Sequence, residues 1–243
     1  MHTPPFPYQI YPLGDRGLTI DFGDRISEVL NDQVMQWFHF WYRDPPEGVI
    51  ELVPAYSSIS VRYDPCRIRK WSGSLTAYEW MKQELERVLS EPPPQRFTED
   101  RLHRIPVCYD ARLAPELETL AACLQISVAE LVHLHSAVTY RIYMLGFLPG
   151  FPYMGEVNER IALPRRASPA PVKAGSVGIA GKQTGIYPID SPGGWCIIGQ
   201  TPLPVFDPAK EVPVWMQPGH RVQFYPVSLD EYEDIKAKLQ QIN

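Results

Sequence analysis

Apolar residues recur along the chain in two rhythms, and the change between them divides it. Over residues 27–42 the positions Leu30, Val34, Trp37, Phe38 and Trp41 return every three to four residues, the spacing of one helix face. Residues 74–89 repeat the pattern with Leu75, Tyr78, Met81, Leu85 and Val88. Residues 8–12, 18–22, 49–54 and 58–63 are short β-prone runs bounded by turn residues and read as strands. Gly14-Asp15-Arg16-Gly17 turns between the first two. Asp44-Pro45-Pro46 stops the first helix, and Glu91-Pro92-Pro93-Pro94 ends the block, because the residue before a proline is pushed out of helical geometry. A further strand at 103–109 would complete a mixed sheet with both helices on one face. This order is not the ferredoxin-like one. It predicts an α+β amino-terminal domain over residues 1–95, with a mixed sheet and two helices.

Beyond residue 96 a helix is expected at 115–124. Ser127 with Glu130 three residues on makes a capping box for another. The rhythm then becomes β, with strands expected at 140–145, 176–180, 185–188, 195–199 and 221–226. Many short strands close most naturally as a barrel, which removes exposed edges. Residues 229–239 should form a last helix with Ile235 and Leu239 inward. Its acids come early and its lysines late, as the helix dipole favours. The aromatic stripe of the first helix reads as core, although Phe40 and Tyr42 extend it towards a surface that would suit a second protomer.

Composition narrows the class. The 243 residues are 44% hydrophobic and 21% charged, the balance of a soluble globular chain. A net charge of −5 leaves no cation surplus for general nucleic-acid binding. No apolar stretch reaches membrane-spanning length, and the amino terminus has no secretory pattern. The four dispersed cysteines, Cys66, Cys108, Cys123 and Cys196, form no C-x-x-C pair and support no zinc or redox motif. Reduced thiols and a cytoplasmic location are the simplest expectation.

Glycine and proline crowd one region. The chain reads GFLPGFPYMG over residues 146–155 and AGSVGIAGKQTGIYPIDSPGGWCIIGQTPLPVFDP over 174–208. Two readings stand: a loop surface shaped to contact something, or barrel corners that need these residues to turn. No familiar catalytic cassette is present. Gly181-Lys182 is followed by Gln183 where a phosphate-binding P-loop needs Ser or Thr, and there is no nucleophile elbow. His133 and His135 lie two apart on a predicted helix and diverge. His135 is expected to meet that helix's terminal carbonyls. Backbone N–H groups around Gly181, Lys182, Gln183, Thr184 and Gly185 could form an anion-accepting concavity. Ser191, Gly193, Gly194 and Trp195 would allow close backbone approach beside an indole wall. Arg165 and Arg166 read either as partners for a carboxylate or phosphate or as solvated loop charges.

These motifs, with YPLGDRGLTIDFG and LHSAVTYRIYMLGF elsewhere, closely resemble the family of 5-oxoprolinase B-type subunits, also described as allophanate hydrolase subunit 1 and as the Kip-type inhibitor of a sporulation histidine kinase. The resemblance spans nearly the whole chain. It implies an amino-terminal α+β domain and a mainly β, cyclophilin-like barrel over residues 96–243. It further implies direct partnership with the C-type subunit of 5-oxoprolinase and functional partnership with the A-type one, in an enzyme opening 5-oxoproline to glutamate. ATP and Mg2+ are implied for the complex and are not assigned to this chain. Family motifs map onto Arg141, Phe147, Pro149, Gly150, Phe151 and Tyr153, then onto Gly175, Ser176, Gly181, Gln183, Thr184, Gly185, Tyr187, Ser191, Pro192, Gly193, Gly194 and Trp195. The chain departs from the family at Lys173, where proline more often precedes Ala-Gly, and at Val138-Thr139.

The leading expectation is therefore a non-autonomous subunit whose glycine-rich rim is half of a composite site, working by positioning and electrostatics. The alternative is a regulatory module that inhibits a histidine kinase. An amidase acting on urea-derived amides ranks last, since no Ser-Ser-Lys arrangement is evident.

Overall fold

Alternation of buried and exposed side chains along four short strands builds the first of two units in the computed structural model, which describes residues 7–91 and 101–242. The units span Met1–Thr98 and Glu99–Asn243. In the first, β1 (Gln9–Pro12), β2 (Gly17–Asp21), β3 (Val49–Pro54) and β4 (Ser58–Tyr63) lie in the order β1-β2-β4-β3. Leu18, Ile20, Ile59, Val61 and Tyr63 are fully buried in one core with Trp37, Trp41, Met81 and Leu85. The last four come from α1 (Glu28–Arg43) and α3 (Ala77–Leu89), with the short α2 (Pro65–Ile68) before α3. The aromatic stripe of α1 is thus core, while Phe40 and Tyr42 stay exposed. Asn31 is buried on the same helix and donates to the carbonyls of Ala55 and Tyr56, which ties α1 to the β3–β4 turn.

The expected mixed sheet is corrected. Every pairing in this sheet is antiparallel, and the strand near residue 103 belongs to the second unit. That strand, β5 (Leu102–Cys108), has the buried run Ile105, Pro106, Val107 and Cys108. A strand apolar on both sides needs cover on both, which the open amino-terminal sheet does not supply. The predicted second helix also starts later than expected. Thr76 caps it, accepting from Glu79 N–H at 3.2 Å while the Glu79 carboxylate accepts from Thr76 N–H at 2.8 Å. Thr76→Ala should cost about 1 kcal/mol, read as a shift in urea midpoint. No shift would mean the box is not formed in solution. The Pro92–Pro94 run lies outside the described residues.

Seven strands of the second unit close on themselves. They are β5, β6 (Thr139–Leu145), β7 (Pro152–Gly155), β9 (Ser176–Ala180), β10 (Gln183–Ile186), β12 (Cys196–Gln200) and β13 (Arg221–Val227). Around the barrel they run in the order β10-β7-β6-β13-β5-β12-β9. A separate ribbon pairs β8 (Ala170–Val172) with β11 (Ser191–Gly193). Helices α4 (Leu117–Cys123), α5 (Val128–Ser136) and α6 (Leu229–Ile242) complete the unit. β5 runs parallel to β13 over seven residue pairs, and α6 packs on β5. Strands β7, β8 and β11 carry no periodic signal, being three or four residues long and each interrupted by proline or glycine. Among the described residues, no single helix is long and apolar enough to cross a membrane.

Candidate functional site on the outer barrel wall

The wall formed by β6, β7, β10 and β9 carries Arg141, Tyr153, Gln183, Thr184 and Gly185 of the predicted site residues. Met154 and Thr184 pair across β7 and β10 and are both fully buried, so they point into the barrel. Strand alternation then turns Gln183, Gly185, Tyr153 and Gly155 outward. Gly155 pairs with Arg141 on one side and with Gln183 on the other. Arg141 and Gln183 therefore flank a residue with no side chain, on strands spaced roughly 4.8 Å apart.

The glycines in these strands make room for rings. A Cβ at Gly185 would sit 2.7 Å from Phe151 Cζ, and one at Gly178, its cross-strand partner, 3.1 Å from Trp195 Cβ. The Phe151 ring lies 5.2 Å from Trp195, 5.2 Å from Tyr187 and 4.9 Å from Tyr153. Phe147 meets its edge at 5.8 Å and stays 64% exposed, with a φ of +63°. This positive φ is uncommon for a non-glycine residue and holds the ring at the lip of the cluster. The glycine-rich sequence is thus an aromatic seat as much as a set of corners. The signal for it was present: Gly178 and Gly185 stand among β-branched residues, not beside turn formers.

Polar groups border the seat. A Cβ at Gly193 would fall 2.4 Å from the Tyr187 hydroxyl, so that phenol reaches the β11 backbone. Burial pushes the Tyr187 hydroxyl up, against a Trp195 backbone hydrogen bond and the nearby Arg166 and Arg165 charges, which pull it down. Burial likewise raises Tyr153 against the pull of Arg165. Arg166 N–H donates to the Gly194 carbonyl at 2.7 Å, and its guanidinium pairs with Glu116. Lys173 binds Asp190 at 2.8 Å, and Ala174 N–H donates to the same carboxylate at 2.8 Å. That carboxylate secures the first glycine turn where the family more often uses proline.

Three expectations are corrected. The segment around Gly181 and Lys182 is a two-residue hairpin with Gly181 at φ +60°, and two of the donors expected for an anion concavity are already bonded. Gly181 N–H is spent on the Leu163 carbonyl and the Lys182 ammonium on Glu159 at 2.7 Å. The hairpin also starts β10 at Gln183, two residues before its expected position. Thr184 cannot meet a ligand from outside, since its hydroxyl donates to the Gly178 carbonyl at 3.1 Å and contacts His135 Nε2 at 2.9 Å. His135, expected at helix-end carbonyls, is instead fully buried in the barrel. Its Nδ1 lies 2.8 Å from the Tyr109 hydroxyl and its ring stacks on Phe224. Because Thr184 donates onward, His135 must donate from Nε2 and accept at Nδ1. Burial holds it neutral, with its pKa pushed down to about 3.

A cavity of about 220 Å³, lined by Leu203, Pro204, Asp207, Val212, Trp215 and Leu239 among others, contains none of the predicted site residues. Its lining is mainly apolar, and its two charged members, Asp207 and Lys210, lie 3.8 Å from each other, so the outer wall is the better chemical candidate. Among the described residues, no cluster of His, Cys, Asp and Glu gathers to hold a metal ion.

The family model for the carboxyltransferase domain, subdomain C and D, matches residues 8–216. The chain is 41% identical to the B-type subunit of 5-oxoprolinase from Bacillus subtilis (strain 168) over 95% of this chain and 98% of that protein. It is 24% identical to the urea amidolyase of Lachancea kluyveri over 90% of this chain but 13% of that protein. The crystal structure of TTHA0988 superposes with a TM-score of 0.76 at 37% identity, covering 88% of this chain. The chain spans only 40% of that structure's length.

Proposed function

Because the chain belongs to the family of 5-oxoprolinase B-type subunits, within the carboxyltransferase subdomain C and D family, we propose that it is a non-autonomous subunit of an ATP-dependent 5-oxoprolinase. In this reading the outer barrel wall is half of a site whose remainder comes from the C-type subunit, with the A-type one working alongside them. The observation that carries it is the wall itself: the half-buried Gln183 and the buried Arg141 flank Gly155 beside an aromatic cluster that reaches solvent at Phe147. Those groups bind, orient and polarise an amide; they are not nucleophiles. The longer relatives support a partner, since in TTHA0988 and the urea amidolyase the matched region is joined to much more chain.

A lactam is a stable amide; transfer of a phosphoryl group from ATP to its oxygen opens the ring carbon to water, the ring C–N bond then breaks to free the amine, and hydrolysis of the resulting acyl phosphate releases phosphate. ATP with Mg2+ supplies this chemistry at the level of the complex. This chain's part is to hold the small ring against the exposed Phe147 and the half-buried Tyr153, exclude water there, and offer donors to the oxygen as charge builds. Gln183, outward and half-buried, is the amide donor best placed on the wall.

Gln183→Ala should lower turnover of the co-purified complex about 10²-fold, the usual scale for one lost donor to a developing oxyanion, with folding and partner association intact. Turnover within a factor of two of the parent would remove Gln183 from the site. The proposal as a whole is tested by assaying ATP-dependent glutamate formation with and without the expected partners. Full activity from this chain alone, or none from the reconstituted complex, would reject it.

A further inference from the structure

The wall that carries Gln183 has little of its own to hold its register. β10 is four residues long and meets β7 at two pairs, Gln183 with Gly155 and Thr184 with Met154. The strands β7, β9 and β10 each contain a glycine, at Gly155, Gly178 and Gly185. Register is weakly specified in glycine-rich strands, and a slip of one residue would turn Gln183 inward.

One buried residue of α5 ties this wall from inside. His135 Nε2 lies 2.9 Å from the Thr184 hydroxyl on β10, and that hydroxyl donates to the Gly178 carbonyl on β9 at 3.1 Å. The Tyr140 hydroxyl on β6 donates to the His135 carbonyl at 2.7 Å. Tyr109, just past β5, reaches His135 Nδ1 at 2.8 Å, and Phe224 of β13 stacks on the imidazole. Apolar side chains would fill the same volume without the cost of burying polar groups. What the network adds is direction, since hydrogen bonds set distance and angle where packed methyl groups can slide.

The two side chains tied in this way are sequence neighbours of the two polar residues of the wall. Tyr140 precedes Arg141 on β6, and Thr184 follows Gln183 on β10. Neighbours along a strand take opposite faces. Holding Tyr140 and Thr184 inside therefore sets Arg141 and Gln183 on the other face, on either side of Gly155.

We infer that His135 is a positioning residue of the proposed amide site: through Thr184 and Tyr140 it holds Gln183 and Arg141 at the spacing the reaction uses. It touches no substrate itself. The inference rests on the 5-oxoprolinase reading of the wall.

Cutting one tie to His135 and reading Gln183 tests this. Tyr140→Phe deletes a single hydroxyl on β6, with β7 lying between that strand and β10. In the full chain, the Gln183 side-chain amide signal is assigned by its loss in Gln183→Ala and followed by ¹H–¹⁵N NMR. It should move in Tyr140→Phe while the spectrum as a whole stays native. In the co-purified complex, Thr184→Val should lower kcat about tenfold with KM within about twofold of the parent, as a misplaced group does. Thr184→Ser, which keeps the hydroxyl, should restore the parent rate. In a Gln183→Ala background, Thr184→Val should lower kcat no further, because the group it positions is gone. A merely structural role gives the same loss in both backgrounds, and that result overturns the inference. An unmoved Gln183 signal in Tyr140→Phe overturns it too, whatever the turnover. Should Thr184→Val fail to fold, the Tyr140→Phe signal decides. A moved signal in a chain whose complex makes no glutamate keeps His135 as the tie of this wall and sinks the enzyme reading alone.

Discussion

Gly175→Ala is expected to destabilise the barrel unit by roughly 2–5 kcal/mol, combining the left-handed backbone cost of a residue with a side chain with the cost of overpacking. Gly175 has a φ of +81°, and a Cβ there would lie 2.4 Å from the Thr201 carbonyl oxygen. That oxygen belongs to backbone, so no side chain can swing aside. Gly175 N–H donates to the Tyr187 carbonyl at 2.7 Å, and its own carbonyl accepts Thr201 N–H at 2.9 Å. Relief of the clash must therefore disturb the segment that sets Tyr187 in the aromatic seat. Urea unfolding of the full chain measures the loss. A change below about 1 kcal/mol would show that the turn relaxes without strain, contrary to the close approach described above.

Acidification should produce the second large effect. His135 keeps its neutral form in the fold because burial pushes its pKa from 6.5 to about 3. Below pH 6.5 the unfolded chain takes up a proton that the folded chain refuses. Stability is therefore retained above the unfolded pKa and lost as the pH falls towards the folded one. Between pH 6.5 and about pH 4, His135 alone should cost roughly 3 kcal/mol. His103 acts in the same direction. Burial first, then the neighbouring His220 and Arg101, push its pKa down to about 4. Its Nε2 lies 2.9 Å from His220 Nδ1, a pairing that charge on both rings would break. Urea midpoints measured across this window should fall steadily, and His135→Gln should flatten the slope. An unchanged slope in His135→Gln would mean that the buried imidazole is not what titrates. The exposed His133, on the same helix, is the control.

Several parts of the fold were legible because they answer to local rules. The spacing of Val34, Trp37 and Trp41 demanded a helix with one buried face, and those residues are buried together. The runs at Val49–Pro54 and Ser58–Tyr63 are strands with the expected bounds. A dense set of short strands pointed to a closed barrel, and the barrel is closed. The site was legible in a weaker way. Arg141, Tyr153, Phe151 and Tyr187 were marked by motif resemblance alone, whereas Gln183 and Trp195 were also singled out by the glycine loops around them. Arg165 and Arg166 stood open between ligand partners and solvated charges, since an Arg-Arg pair looks the same in both roles.

By itself, the order of residues determined where helices and strands form, where they stop, and that aromatic and glycine residues would concentrate in one region. Those features follow from periodicity, capping and backbone freedom, which act over a few residues. Tertiary structure alone decided that Leu102–Cys108 joins the barrel and leaves the amino-terminal sheet antiparallel. It also decided that Thr184 faces inward to His135 while Gln183, its neighbour, faces out beside Gly155. The physical reason is register. A strand's partner lies far away in sequence, and a slip of one residue exchanges its two faces, so no local pattern can say which side chains meet a ligand and which meet the core.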